Sequence, residues 1–293
     1  MGVGWWHGTG WRADDRQGNG AGADKPHRFF DFGISHKKQG TFSMDSANKQ
    51  KEHYDRILAE YNAHYFDKWS MRYRDEFVFG PMWDGLDLNG KHVADLACGS
   101  GFNSVSIRER FPQVKVTGFD ISPTACAEYE RNTGFAAREC DLTKPLKVAP
   151  EFDAAMVIGG LHHCVADLPQ TLNNVASMLV SGGLFIMLEP SSEFFLEMLR
   201  NLWYRYDRSF DYTNEHALRH DEILAIGCDA FVVFDIRYFG GPAYFGVLNS
   251  MILRIPLPAK RFVSPPLMMA ERLWNQLPGR AMFNVFLARW HRL

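Results

Sequence analysis

Residues 92–120, HVADLACGSGFNSVSIRERFPQVKVTGFD, restrict what the chain can fold into more than any other stretch. The apolar run over residues 92–97 has the length of a short buried strand. Cys98-Gly99-Ser100-Gly101 follows, and its two glycines let a ligand come close to the backbone. Residues 102–111 predict a helix whose first N–H groups face that turn and suit an anionic group. Residues 114–119 predict a second strand, with Asp120 at its end. In a right-handed parallel unit the Asp120 carboxylate lands beside the turn, where a ribose would lie.

The neighbouring residues narrow the ligand. A dinucleotide fingerprint wants a third glycine three positions after the second, and Ser104 stands there. Asp95 precedes the turn on a strand end that points into the site. Its carboxylate would repel a pyrophosphate but suits an ammonium group. A ligand carrying a carboxylate, an ammonium and an adenosine would use the helix N-terminus, Asp95 and Asp120 together. S-adenosylmethionine (SAM) is such a ligand. The run D-L-A-C-G-S-G followed by G-F-D resembles the first two motifs of class I SAM-dependent methyltransferases, of the type acting on small molecules. Ala97 is a departure, since that pattern often has Gly there.

The resemblance implies a Rossmann-like, doubly wound α/β fold with seven mostly parallel strands. This chain's own residues add a helical cap before the core and, as a departure from the family, a helical insertion before the last strand. The resemblance also implies cofactor contacts from Asp95, Ala97, Gly99, Gly101, Asp120 and Ile121. Further along, residues 135–140 predict strand three, followed by Asp141-Leu142. In the family an acidic residue here faces the adenine amino group, and the next backbone N–H lies beside the ring. The plainer reading of Asp141 is a turn cap. Residues 152–158 are nearly continuously apolar, as a central parallel strand requires, and end in Gly159-Gly160-Leu161-His162-His163. Ligands sit beyond the carboxyl ends of such strands. Gly159 is expected to pass close to the methionine part of the cofactor. A methyltransferase with an oxygen acceptor also needs a base, and His162 and His163 are the candidates. The alternative is one packing and one turn histidine. Residues 184–188, after Ser181-Gly182-Gly183, complete the resemblance as strand five.

The flanks are less determined. Residues 1–43 hold nine glycines and three tryptophans without a helix or strand period, and are expected to be a disordered extension or sequence upstream of a natural start at Met44. Residues 44–293 are read as one methyltransferase domain. Tyr54, Ile57, Leu58, Tyr61, Tyr65 and Trp69 recur at helical spacing within an N-terminal cap, residues 46–80, ahead of the core at residues 91–190. After Pro190, residues 192–208 and 214–226 read as helices, and residues 230–238 and 282–290 as strands, which the resemblance implies are an antiparallel pair at one sheet edge. The insertion between the strands, residues 240–280, is apolar, with prolines expected to break it into short pieces. It either extends the core, covers a lipophilic acceptor, or touches a membrane surface, the last suggested by Lys260-Arg261 beside Phe262.

Composition sets the remaining bounds. A net charge of −2 gives no electrostatic case for a nucleic-acid partner. The five cysteines show no paired or metal-ligand spacing, and no metal site is expected. No apolar run is long enough to span a bilayer, so a cytoplasmic enzyme is expected. Two rivals to a methyltransferase of small or lipid-like acceptors, with oxygen favoured, remain. One is a NAD-binding oxidoreductase, which Ser104 and Asp95 disfavour. The other is a non-catalytic partner subunit of methyltransferase fold. The oligomeric state is open.

Overall fold

The computed structural model describes residues 64–65, 67–196, 217–250, 253 and 255–293. The expected N-terminal extension, most of the first cap helix and most of the helix predicted over residues 192–208 lie outside them.

Seven strands form one sheet in the order β3-β2-β1-β4-β5-β7-β6. They are β1 (His92–Leu96), β2 (Lys115–Asp120), β3 (Ala137–Glu139), β4 (Phe152–Ile158), β5 (Leu179–Pro190), β6 (Phe231–Phe239) and β7 (Val285–Arg292). The pairs among β1 to β5 are parallel, and β7 runs antiparallel to both β5 and β6. The switch point falls between β1 and β4, so a crevice opens at their carboxyl ends.

Successive side chains on a strand alternate faces, and this alternation divides the core in two. Val93, Val116, Met156, Ile186 and Leu287 face one side, while Ala94, Leu96, Phe119, Val157, Phe185 and Trp290 face the other. Each large apolar side chain buried this way contributes about 1.5–3 kcal/mol. Asp95 shares its face with Val93, and Glu189 shares its face with Phe185 and Met187.

Local signals mark most helix ends, but the helix expected over residues 214–226 starts only at His220, residues 217–219 not being helical. α1 (Lys68–Tyr73) starts on Asp67, whose Oδ1 accepts the Trp69 N–H at 2.8 Å, and runs on through a π-helical turn, Arg74–Phe79. α2 is Phe102–Arg110, immediately after Gly101. α3 (Pro123–Thr133) is capped by Ser122, carries Pro at its first position and stops at left-handed Gly134. α4 (Leu168–Met178) is capped by Asp167, and α5 is His220–Gly227.

Three expectations are corrected. The strand expected over residues 184–188 begins earlier, since Leu179 pairs with Phe152, and the pairing resumes only at Leu184 with Ala154. Ser181-Gly182-Gly183 is therefore an irregularity inside a longer β5, with Gly182 at φ +75°. The last two strands do pair as expected, but the insertion is divided ahead of α6, where Pro256 stands in extended backbone, and not at its paired prolines. An 18-residue helix, α6 (Leu257–Trp274), passes straight through Pro265 and Pro266. Both prolines are exposed, so the Arg261 and Phe262 carbonyls deprived of helical partners face water. Finally, Lys260 is fully buried rather than exposed beside Phe262.

The insertion springs from the site's side of the sheet. Phe239 pairs with Val285, which pairs with Pro190 at the carboxyl end of β5. Its Ala243, Tyr244, Val247, Leu248 and Met268 join the apolar cluster beneath α1.

Candidate functional site

The site forms where β1, β2 and β4 end together. After Leu96 the chain turns through Ala97 with φ +51°, the sole non-glycine residue in that region among those described. Such a conformation costs an alanine roughly 1–2 kcal/mol. Gly101 has φ +89°, and a Cβ there would lie 2.3 Å from Thr133 Cγ2 and 2.9 Å from the Tyr129 ring. Only glycine fits, and α2 starts at the next residue. No side chain caps this helix start, and its first turn has no acidic residue. The N-terminal N–H groups and the positive end of the helix dipole are thus left to a ligand anion.

Asp120 holds the turn from the side. Its Oδ2 accepts the Gly99 N–H at 2.9 Å and its Oδ1 accepts the Ser122 N–H at 2.9 Å. Each oxygen keeps a second lone pair, and the two together match vicinal hydroxyls. Ile121, directly after it, is 65% exposed despite its apolar side chain.

Asp95 is fully buried. Ser104 Oγ donates to its Oδ2 at 2.6 Å, and the Tyr129 hydroxyl lies 2.7 Å beyond Ser104. Burial pushes the Asp95 carboxyl up to about 8, aided by the charge of Asp120 and opposed by the Ser104 hydrogen bond. Its Oδ1 has no hydrogen-bond partner. A buried, unpartnered carboxylate oxygen is costly, and it marks a place for a ligand donor. The vacant acceptor, the uncapped helix start and the Asp120 carboxylate fit the ammonium, carboxylate and ribose of SAM.

Asp141 behaves as the plainer reading expects of a turn cap. Its Oδ1 accepts the Thr143 N–H at 2.9 Å and the Thr143 hydroxyl at 2.6 Å. Those bonds hold its carboxyl below the usual range. Both of these bonds fall on Oδ1. Leu142 is buried, and its carbonyl is held by Thr171 and Asn174.

The turn after β4 abuts the turn after β1. A Cβ on Gly160 would lie 2.6 Å from the Ala97 Cβ, so Gly160 permits this approach. Gly159 takes φ +65°. Beyond it the structure separates the two histidines. His162 is buried, and its Nδ1 lies 2.7 Å from Glu189 Oε2. His163 is exposed, with its ring centroid 4.0 Å from that of His162. Desolvation by the atoms packed around its ring, then the neighbouring His162, lowers the His163 imidazole to about 4. His163 is therefore neutral at pH 7.

Glu189 was not a candidate from sequence. It is buried at the end of β5, and its Oε1 accepts the Gly160 N–H at 3.0 Å and the Leu161 N–H at 2.7 Å. One carboxylate thus shapes the whole turn. A carboxylate ending an apolar central strand was the available signal. Tyr129 had no such signal, because its role depends on how α3 packs on the glycine turn. A shallow depression at the amino ends of β1 and β4, beside Lys91, Asp153 and His291, carries none of these groups.

Comparison with known proteins agrees with this geometry. Residues 93–183 match the family model described as a methyltransferase domain. A demethylmenaquinone methyltransferase from Symbiobacterium thermophilum is 28% identical over 155 residues, which are 50% of this chain and 58% of that protein. The match thus spans under two thirds of the relative. Two solved structures share the fold. One is a SAM-dependent methyltransferase from Mesorhizobium loti, with TM-score 0.50 and 18% identity over 71% of this chain and 93% of the other. The second is a geranyl diphosphate C-methyltransferase from Streptomyces coelicolor A3(2), with TM-score 0.52 and 15% identity over 76% and 79%. The residues matched to the methyltransferase domain model are those that carry the glycine turn, Asp95 and Asp120, and these groups fit SAM.

Proposed function

We propose that the protein transfers a methyl group to a small, lipophilic acceptor, at an oxygen, with His163 removing the acceptor's proton. The observation that carries this reading is the His162–His163 turn: one imidazole is buried against Glu189, and the other is exposed and neutral at the crevice. Methylation of a small molecule also accords with the similarity to a protein named demethylmenaquinone methyltransferase.

SAM, when bound, supplies the methyl group and its sulfonium leaving group. The chain's residues bind and orient. In this reading the α2 N-terminus takes the carboxylate, Asp95 the ammonium, and Asp120 the ribose hydroxyls. Ile121, Asp141 and Leu142 border the adenine, while Ala97, Gly99, Gly101 and Gly159 let the backbone approach. His163 accepts a proton from the acceptor hydroxyl as its oxygen becomes the nucleophile. Glu189 fixes His162, on which the His163 ring rests. The insertion, rising from the same sheet edge, covers the acceptor and keeps water out.

The test is S-adenosylhomocysteine formation with SAM and a panel of phenols and quinols. Loss of a general base costs roughly 100-fold or more in turnover. His163→Ala should show that loss with SAM affinity intact. The wild-type rate should decline on the acid side near the His163 value of about 4 rather than near 6.5. Full turnover in His163→Ala would remove the histidine from the mechanism.

A further inference from the structure

The insertion helix is built inside out. The residues α6 buries are Lys260, Ser264, Met268 and Glu271, three of them polar. Its exposed face carries Phe262, Met269 and Leu273, which are 68%, 62% and 64% exposed, flanked by Leu257 and the two prolines. A helix packed on a core and facing water shows the reverse pattern, with its apolar stripe inward.

The inward charges are fully engaged. Lys260 pairs with Asp67, donates to Ser70 Oγ at 2.8 Å and donates to the His64 carbonyl at 3.1 Å. Glu271 accepts from the Tyr73 hydroxyl at 2.9 Å and from the Gly241 and Ala243 N–H groups at 2.9 and 2.8 Å. These two clusters fix α6 against α1 and set which face looks out. The orientation is thus held by the fold, and single exposed apolar residues of the ordinary kind do not explain a row of them.

Charge says what the row meets. Glu271 is the one acid in α6, and it is buried. The outward charges are Arg261, stacked over the Phe262 ring at 4.5 Å, and Arg272, bound to Glu76 at 2.9 Å. A second copy docking through the same helix would bring no free carboxylate of α6 to Arg261, whereas an anionic lipid surface brings phosphates. Depth is limited too. The Arg261 and Phe262 carbonyls opposite Pro265 and Pro266 need donors from water or headgroups, so the helix lies in the interface and does not cross. No helix among the described residues is long and apolar enough to cross a membrane.

We propose that the outward face of α6 seats the protein on an anionic lipid surface, with Phe262, Met269 and Leu273 entering the headgroup boundary and Arg261 meeting lipid phosphates. This stands on the helix alone and not on the acceptor or its chemistry. The test is co-sedimentation of the full chain with phosphatidylcholine vesicles, with and without phosphatidylglycerol. Wild type should bind best to the anionic vesicles. Phe262→Ser combined with Leu273→Ser should lower the partition coefficient by roughly tenfold or more, with SAM affinity unchanged as the measure of fold. Should that double variant fail to fold, Arg261→Glu keeps the apolar row and should weaken binding to anionic vesicles more than to neutral ones. Absence of wild-type binding, or unchanged binding in folded variants, would overturn the proposal. So would a wild-type dimer, seen by sedimentation velocity, that the double variant dissociates without any vesicle binding; the face would then join two copies.

Discussion

Replacing Asp95 with Asn should move stability and cofactor affinity in opposite directions. The carboxyl is buried, carries an unpartnered oxygen and titrates near 8 instead of 3.8. At pH 7 the folded protein holds a proton that the unfolded chain releases. Taking up that proton some three units above the unfolded value costs about 4 kcal/mol at 1.36 kcal/mol per unit. Asn keeps the shape and escapes the cost. A weaker bond to Ser104 offsets part of the gain, leaving roughly 2 kcal/mol, or about 4–8 °C in Tm for a domain of this size. The sign depends on pH. With a folded value above the unfolded one, the penalty is absent below about 3.8, grows as pH rises and is complete near 8. The advantage of Asp95→Asn should therefore grow from pH 5 to pH 8 and fade in acid. SAM binding should weaken by roughly 1.5–3 kcal/mol, because Asn cannot give up a proton and become the charged partner of the ammonium as the Asp95 carboxyl does on binding. Thermal melts across that pH range and calorimetry with SAM read both effects. A variant less stable than wild type at every pH, or one with unchanged SAM affinity, would refute the reasoning.

Two further substitutions probe the turns. Gly101→Ala should destabilise by roughly 2–4 kcal/mol, since a Cβ would overlap Thr133 and Tyr129 at a backbone angle that alanine resists; denaturant unfolding measures it. Glu189→Ala should cost roughly 3 kcal/mol or more by stranding the Gly160 and Leu161 N–H groups and His162. Glu189→Gln should recover much of that stability by keeping an acceptor for the backbone, yet leave turnover reduced because the His162 partner has changed.

What was legible in the sequence is what depends on nearest neighbours and period. Ser122-Pro123 and Gly134 delimit α3 by local chemistry, and the apolar runs of β1 and β4 show burial on both faces. The turn at residues 98–101 could be read because Gly101 has to be glycine. The substitution of Ala97 in the pattern was visible, but its left-handed backbone was not, since that follows from how the turn meets Gly160. Groups that meet only in three dimensions stayed hidden. Tyr129 reaches Ser104 from another helix, and Glu189 reaches His162 across 27 residues of chain. Prolines mark breaks only when their missing hydrogen bonds would be buried, and those of α6 are not. Lys260 misled for a related reason. Charge next to an aromatic reads as surface, until Asp67 at the start of α1 and Ser70 on it provide an interior site for it.

The central claim is that the glycine turn and Asp120 bind SAM, and calorimetric titration tests it most directly. Wild type should bind SAM and show no affinity for NAD. Asp120→Ala, which removes the acceptor of the ribose hydroxyls, should weaken SAM binding by about 2 kcal/mol or more, roughly thirtyfold. Equal SAM affinity in the two proteins, or a wild type that binds NAD in preference to SAM, would contradict the account.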